Sequence, residues 1–92
     1  MVECEVRVVN RLGLHARAAA KLVRMASGFR SAVRLERCDR AGAADAKSIL
    51  SVLVLAAARG TELKVTAEGA DEGAALDAVR ELISSGFGET EE

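Results

Sequence analysis

Residues 48–67, SILSVLVLAAARGTELKVTA, switch period at their middle, and that switch decides the fold. From Ser48 to about Arg59, Ile49, Leu50, Val52, Leu53, Val54 and Leu55 crowd a stretch that predicts a helix, which Gly60 can end. From Glu62 the period falls to two. Glu62, Lys64 and Thr66 alternate with Leu63, Val65 and Ala67, the mark of a strand with one buried face. The helix before it keeps almost no polar side. That is more apolar surface than one side of a small domain buries, so part of it is expected at the surface.

The same reading extends in both directions. Upstream, Val33 and Leu35 alternate with Arg34 and Glu36 in SAVRLERC, and DRAG turns the chain into a short strand over Ala43 to Ala46. Before that, Ala16 to Ser27 predicts a helix of about three turns with Ala19, Leu22, Val23 and Ala26 on one stripe and Gly28 at its end. Asn10 to Gly13 forms a turn, and Val2, Cys4, Val6 and Val8 alternate with Glu3, Glu5, Arg7 and Val9 in a first strand. Downstream, EGADEG turns into a third helix that begins near Asp71 and Glu72. Its stripe is Leu76, Val79, Leu82 and Ile83, and Gly86 and Gly88 close it. ETEE at residues 89–92 reads as a frayed acidic tail. The order β-α-β-β-α-β-α predicts an α+β fold in two layers, a four-stranded antiparallel sheet covered by helices on one face and open to solvent on the other.

At 92 residues the chain, 1–92, has room for one domain. With no Trp or Tyr, its core must come from Val, Leu, Ile and Ala, with Phe29 and Phe87 the only rings. That leaves no aromatic platform for nucleic acid, and 13 basic against 14 acidic side chains leave no basic footprint. No stretch has the length of a membrane span or a signal-peptide core, so a cytoplasmic protein is expected, and a monomer is the default expectation. Cys4 and Cys38 form no C-x-x-C pair and, with a single histidine, assemble no metal site. They are expected as reduced thiols, and no cofactor is implied.

That single histidine, His15, stands just before the first helix. There it faces the unpaired amides of Ala16, Arg17 and Ala18, a place that attracts anions and disfavours imidazolium. A neutral imidazole can attack phosphorus and hold the product as phosphohistidine, its oxygens against those amides. Arg17 can add a charge-assisted bond. From position alone, a solvated cap is the ordinary reading of such a histidine, and Arg17 would be a surface charge.

GLHARAAAKLV, AKSILSVLVLAAARGTEL and AEGADEGAALDAVRELISSGFGE together resemble the HPr family, the histidine-containing phosphocarriers of the bacterial phosphoenolpyruvate-dependent phosphotransferase system (PTS), over nearly the whole chain. The resemblance implies an open-faced β-sandwich of four strands and three helices. It also implies that His15 takes a phosphoryl group on Nδ1 from Enzyme I, which phosphoenolpyruvate has charged, and passes it to an Enzyme IIA histidine while Arg17 steadies the group. Ser48 matches the serine that an HPr kinase/phosphorylase modifies in many bacteria, although it is also a natural N-cap. Ile49, Leu50 and Leu53 match the positions that dock Enzyme I and Enzyme IIA; for each singly, core packing is the alternative. Such a protein carries a group between partners and turns over no substrate of its own.

The chain departs from the family in carrying Ala18 where HARPA or HTRPA would place proline, losing a preset φ and gaining an amide donor. NRLGLHAR and SSGFGE are also similar to the nitrogen-related branch, which feeds a regulatory relay rather than sugar uptake, whereas AKSIL looks more like the branch with the regulatory serine. A different class of reading is a non-catalytic binding module in which His15 is only a cap. The presence of both His15 and Arg17 favours the carrier.

Overall fold

The structure, a computed structural model, describes residues 1–89. Its strands are β1 (Val2–Arg7), β2 (Ala32–Arg37), β3 (Ala43–Asp45) and β4 (Glu62–Glu68). Its helices are α1 (Ala16–Ser27), α2 (Ile49–Leu55) and α3 (Glu72–Ser84), and a 3-10 turn over Gly86–Gly88 follows. The strands form one sheet in the order β1-β4-β2-β3, every neighbouring pair antiparallel. β4 lies between β1 and β2, and Val65 pairs with Cys4 on one side and Leu35 on the other, so the alternating residues of three strands share one face. This is the open-faced sandwich expected from the element order.

Leu63, Val65, Ala67, Val33, Leu35 and Val6 are buried on that face. Ala18, Ala19, Leu22 and Ala26 of α1, with Ala75, Leu76, Val79 and Ile83 of α3, close over them. The alanines keep α1 close to its neighbours, and each buried Leu or Ile stabilises the fold by about 1.5–3 kcal/mol. Glu3, Glu5, Arg7, Arg34 and Glu62 face the solvent from the opposite side, where Arg7 pairs with Glu62 at 2.7 Å.

One boundary is corrected. The sequence predicts the second helix to run to about Arg59, but α2 ends at Leu55. Ala56 takes a left-handed conformation (φ 56°, ψ 40°) and its amide bonds to the Leu53 carbonyl at 3.1 Å. Ala57 is thereby buried, with its carbonyl accepting the Leu14 amide at 2.9 Å. That tertiary pairing outweighs the helix propensity of three alanines. The expectation that this helix would be partly exposed holds. Val52 and Leu55 are buried, while Ile49, Leu50, Leu53 and Val54 are exposed.

Asp71 precedes α3 as the sequence places it, yet its carboxylate makes no cap bond to that helix. It accepts instead from the Ser31 hydroxyl, and from the Arg30 and Ser31 amides at 2.9 Å each, fastening the start of α3 to the entry of β2. The Ser31 hydroxyl first, then the Arg30 amide, hold the Asp71 carboxyl down to about 2. A carboxyl lowered by folding stabilises the native state fully above its unfolded value of about 3.9 and loses that contribution as pH falls through the folded value. Asp71→Asn is therefore expected to lower the melting temperature at pH 7, with the deficit shrinking below about pH 5 and gone only below about pH 2. Thermal melts across that range check it.

Candidate functional site

His15 is the N-cap of α1, with extended backbone (φ −74°, ψ 178°) and its carbonyl already accepting the Ala19 amide. The loop that delivers it is held from both sides. Leu14 is buried and bonded to Ala57, and Gly13 sits at φ +65° with so little room that a Cβ would lie 2.5 Å from the Ala57 carbonyl oxygen. Only glycine fits that backbone and that gap. Asn10, 1% exposed, donates from Nδ2 to the Gly13 carbonyl at 2.7 Å and so ties the turn across its base.

The imidazole is engaged at both nitrogens. Nδ1 accepts the Arg17 amide at 3.3 Å, and Nε2 lies 2.7 Å from Oε2 of Glu89. A nitrogen that accepts an N–H carries a lone pair rather than a proton, so the ring proton belongs on Nε2, where it is donated to the carboxylate. On this assignment Nδ1 presents its lone pair at the N-terminus of a helix whose first turn has no acidic residue. Arg17, in the first turn of α1 and two residues after His15, is exposed. Ala18, at the family's proline position, is fully buried and its methyl packs into the core.

The sequence places Glu89 in a frayed acidic tail, and the structure corrects this, holding its carboxylate against His15 and Asn10. Besides His15, its Oε1 accepts from Asn10 Nδ2 at 3.2 Å. Burial raises the Glu89 carboxyl, but hydrogen bonds from His15 and Asn10 and the charge of Lys21 outweigh it and hold the group below the ordinary range. The rest of the acidic tail, residues 90–92, lies outside the described residues.

Ser48 is the N-cap of α2, its hydroxyl accepting the Ser51 amide at 3.2 Å. It lies about 10 Å along the helix axis from the end that meets the His15 loop. Between them, Ile49, Leu50 and Leu53 are exposed by 44%, 69% and 38%, joined by Val54 at 73%, a residue the family resemblance does not single out. Side chains that large and that exposed on seven residues of helix are not part of the core. Cys4 is half-buried and Cys38 exposed, both free. Among the described residues no group of three or more His, Cys, Asp or Glu could hold a metal ion, and no helix is long and apolar enough to cross a membrane.

Comparison with known proteins places this geometry. Residues 2–85 match the PTS-HPr family model, described as the PTS HPr component phosphorylation site. The chain is 44% identical to Phosphocarrier protein HPr of Cupriavidus necator, over 99% of this chain and all of that protein. It is 45% identical to Phosphocarrier protein HPr of Pseudomonas aeruginosa over the same shares. Among solved structures, HPr-C-His from Thermoanaerobacter tengcongensis superposes with a TM-score of 0.91 at 40% identity, covering 99% of this chain and all of the other. Phosphocarrier protein HPr from Bacillus anthracis gives 0.83 at 33% identity over 89% and 95% of the two chains.

Proposed function

The chain belongs to the PTS-HPr family, and on that premise we propose that it is a covalent phosphoryl carrier, charged on His15 Nδ1 by phospho-Enzyme I and discharged to an Enzyme IIA histidine. The observation that carries this reading is the placement of the ring: Nδ1 lies within hydrogen-bond reach of the Arg17 amide and so faces the N-terminus of α1. In charging, the Nδ1 lone pair forms the N–P bond as the bond from phosphorus to Enzyme I breaks. The Arg17 amide, released from Nδ1, is then free to meet a phosphoryl oxygen, and the Arg17 guanidinium can neutralise the added charge. Passage to Enzyme IIA reverses these movements. The test is to incubate the protein with Enzyme I, Mg²⁺ and phosphoenolpyruvate and follow its intact mass. One acid-labile phosphoryl group supports the carrier, and none, with active Enzyme I, supports the binding module.

The whole chain, 1–92, would act as one domain and a cytoplasmic monomer, meeting Enzyme I and Enzyme IIA in turn through small, transient contacts. Ile49, Leu50, Leu53 and Val54 supply the apolar face for both. Leu50→Asp is expected to leave the melting temperature within a few degrees, because the side chain is 69% exposed. It should lower the rate of charging at limiting Enzyme I by about tenfold, the effect of spoiling one apolar anchor of an interface. Initial-rate kinetics with phospho-Enzyme I measure it. Ser48 is the position at which an HPr kinase/phosphorylase would act. A phosphate there is tolerated by the α2 N-terminus, while its charge beside Ile49 and Leu50 opposes docking.

A further inference from the structure

The carrier reading gives work to Nδ1 and Arg17 and leaves the other ring nitrogen unexplained. We infer that Glu89 is a positioning residue for phosphoryl transfer, holding the His15 ring through Nε2 and supplying the negative charge that balances the ring once Nδ1 is phosphorylated. The inference rests on the carrier reading. Its observations are the 2.7 Å contact between Nε2 and Oε2, and the construction behind it.

That construction spans the molecule. Phe87, 1% exposed, plugs into the core and fixes the turn after α3. Lys21 Nζ, from the middle of α1, donates to the Phe87 carbonyl at 2.7 Å, and the Glu89 amide closes the turn on the Gly86 carbonyl at 3.1 Å. Gly86 lies close against Val9 and Asn10, so the turn rests on the loop that carries His15. Asn10 then bonds both the Gly13 carbonyl and Oε1 of Glu89. Two ends of the chain are thus joined through one buried amide, and the carboxylate is oriented before the ring meets it. An exposed tail would not be held by four separate contacts.

The chemistry follows from the ring. With Nε2–H committed to Glu89, the tautomer with a lone pair on Nδ1 is the one selected. As Nδ1 bonds phosphorus, its lone pair is used and the proton on Nε2 stays, so the ring becomes a phosphoimidazolium with a positive charge 2.7 Å from a carboxylate. No proton leaves in either direction. When the acceptor takes the phosphoryl group, the N–P electron pair returns to Nδ1 and the ring is neutral again. Placement on the Nε2 edge keeps the carboxylate on the side of the ring away from the incoming dianion.

Glu89→Ala and Glu89→Gln, made in the full chain, separate the two parts of the role. In the unphosphorylated wild type, ¹⁵N NMR of the imidazole should show a single Nε2–H tautomer. Glu89→Ala should populate the Nδ1–H form and slow charging by phospho-Enzyme I on the order of tenfold, the usual scale for losing one charge-assisted bond. Glu89→Gln, whose amide oxygen still accepts from Nε2, should keep the tautomer yet be slowed because the charge is gone. Melting temperatures within a few degrees of wild type exclude a purely structural cause. A charged wild type with Glu89→Ala equally fast overturns the role of Glu89 and leaves the carrier reading standing. A wild type that is never charged overturns the carrier reading, and the role of Glu89 falls with it.

Discussion

Replacement of His15 by alanine is expected to abolish charging outright while leaving a folded protein. The chain has one histidine, and its side chain is 25% exposed at the edge of the core rather than within it. The fold loses the Nδ1 bond to the Arg17 amide, a helix cap worth about 0.5–2 kcal/mol, together with the Nε2 contact to Glu89. In a domain of this size the lost cap lowers the melting temperature by roughly 2–16 °C. What the chemistry loses is total, because no neighbouring side chain offers an unprotonated nitrogen at the N-terminus of α1. His15→Asn separates the two effects. Asparagine is among the strongest N-caps, so this variant should recover most of the stability and none of the charging. Mass spectrometry after incubation with Enzyme I and phosphoenolpyruvate, beside a thermal melt, reads both. Acid-labile phosphate on either variant would mean that the carrier position lies elsewhere.

The features legible in the sequence are those set by local pattern. The alternation in Glu62–Glu68 reappears as β4 with Leu63, Val65 and Ala67 buried, and the apolar excess of residues 49–55 reappears as exposed Ile49, Leu50, Leu53 and Val54. His15 before Ala16 becomes the cap because a helix start needs an acceptor for its first amides. Features decided by distant contacts were not legible. Three alanines after Leu55 read as helix, and only the Leu14 amide, arriving from the other end of the chain, explains why Ala56 turns left-handed and Ala57 leaves the helix. Glu89 is harder still. Its partner is 74 residues away, and an acidic run beside two glycines carries the composition of a tail. The available signal was Phe87, one of only two aromatic residues, because a ring that scarce in so small a core is an anchor for its neighbours.

That anchor sets the second large effect. Phe87 holds a positive φ of 61°, a conformation that disfavours a bulky side chain by about 1–2 kcal/mol. The strain persists because burying the ring stabilises the fold by about 1.5–3 kcal/mol, and because Gly86 and Gly88, both at positive φ, let the chain turn tightly enough to insert it. Phe87→Ala removes the burial and opens a cavity between α3 and the loop of Asn10, while keeping most of the backbone strain. The expected loss is about 3–5 kcal/mol out of a total that for such domains is about 5–15 kcal/mol. The melting temperature should therefore fall by roughly 12–40 °C, readable by circular dichroism. Phe87→Leu, which fills part of the space, should fall less. The same substitution tests how the site is built. Because the ring fixes the turn that presents Glu89, Phe87→Ala studied well below its own melting point should show the mixed imidazole tautomers of Glu89→Ala, although the glutamate is intact. A cold, folded Phe87→Ala with a wild-type ring would mean that the Lys21 and Asn10 contacts position Glu89 without the anchor.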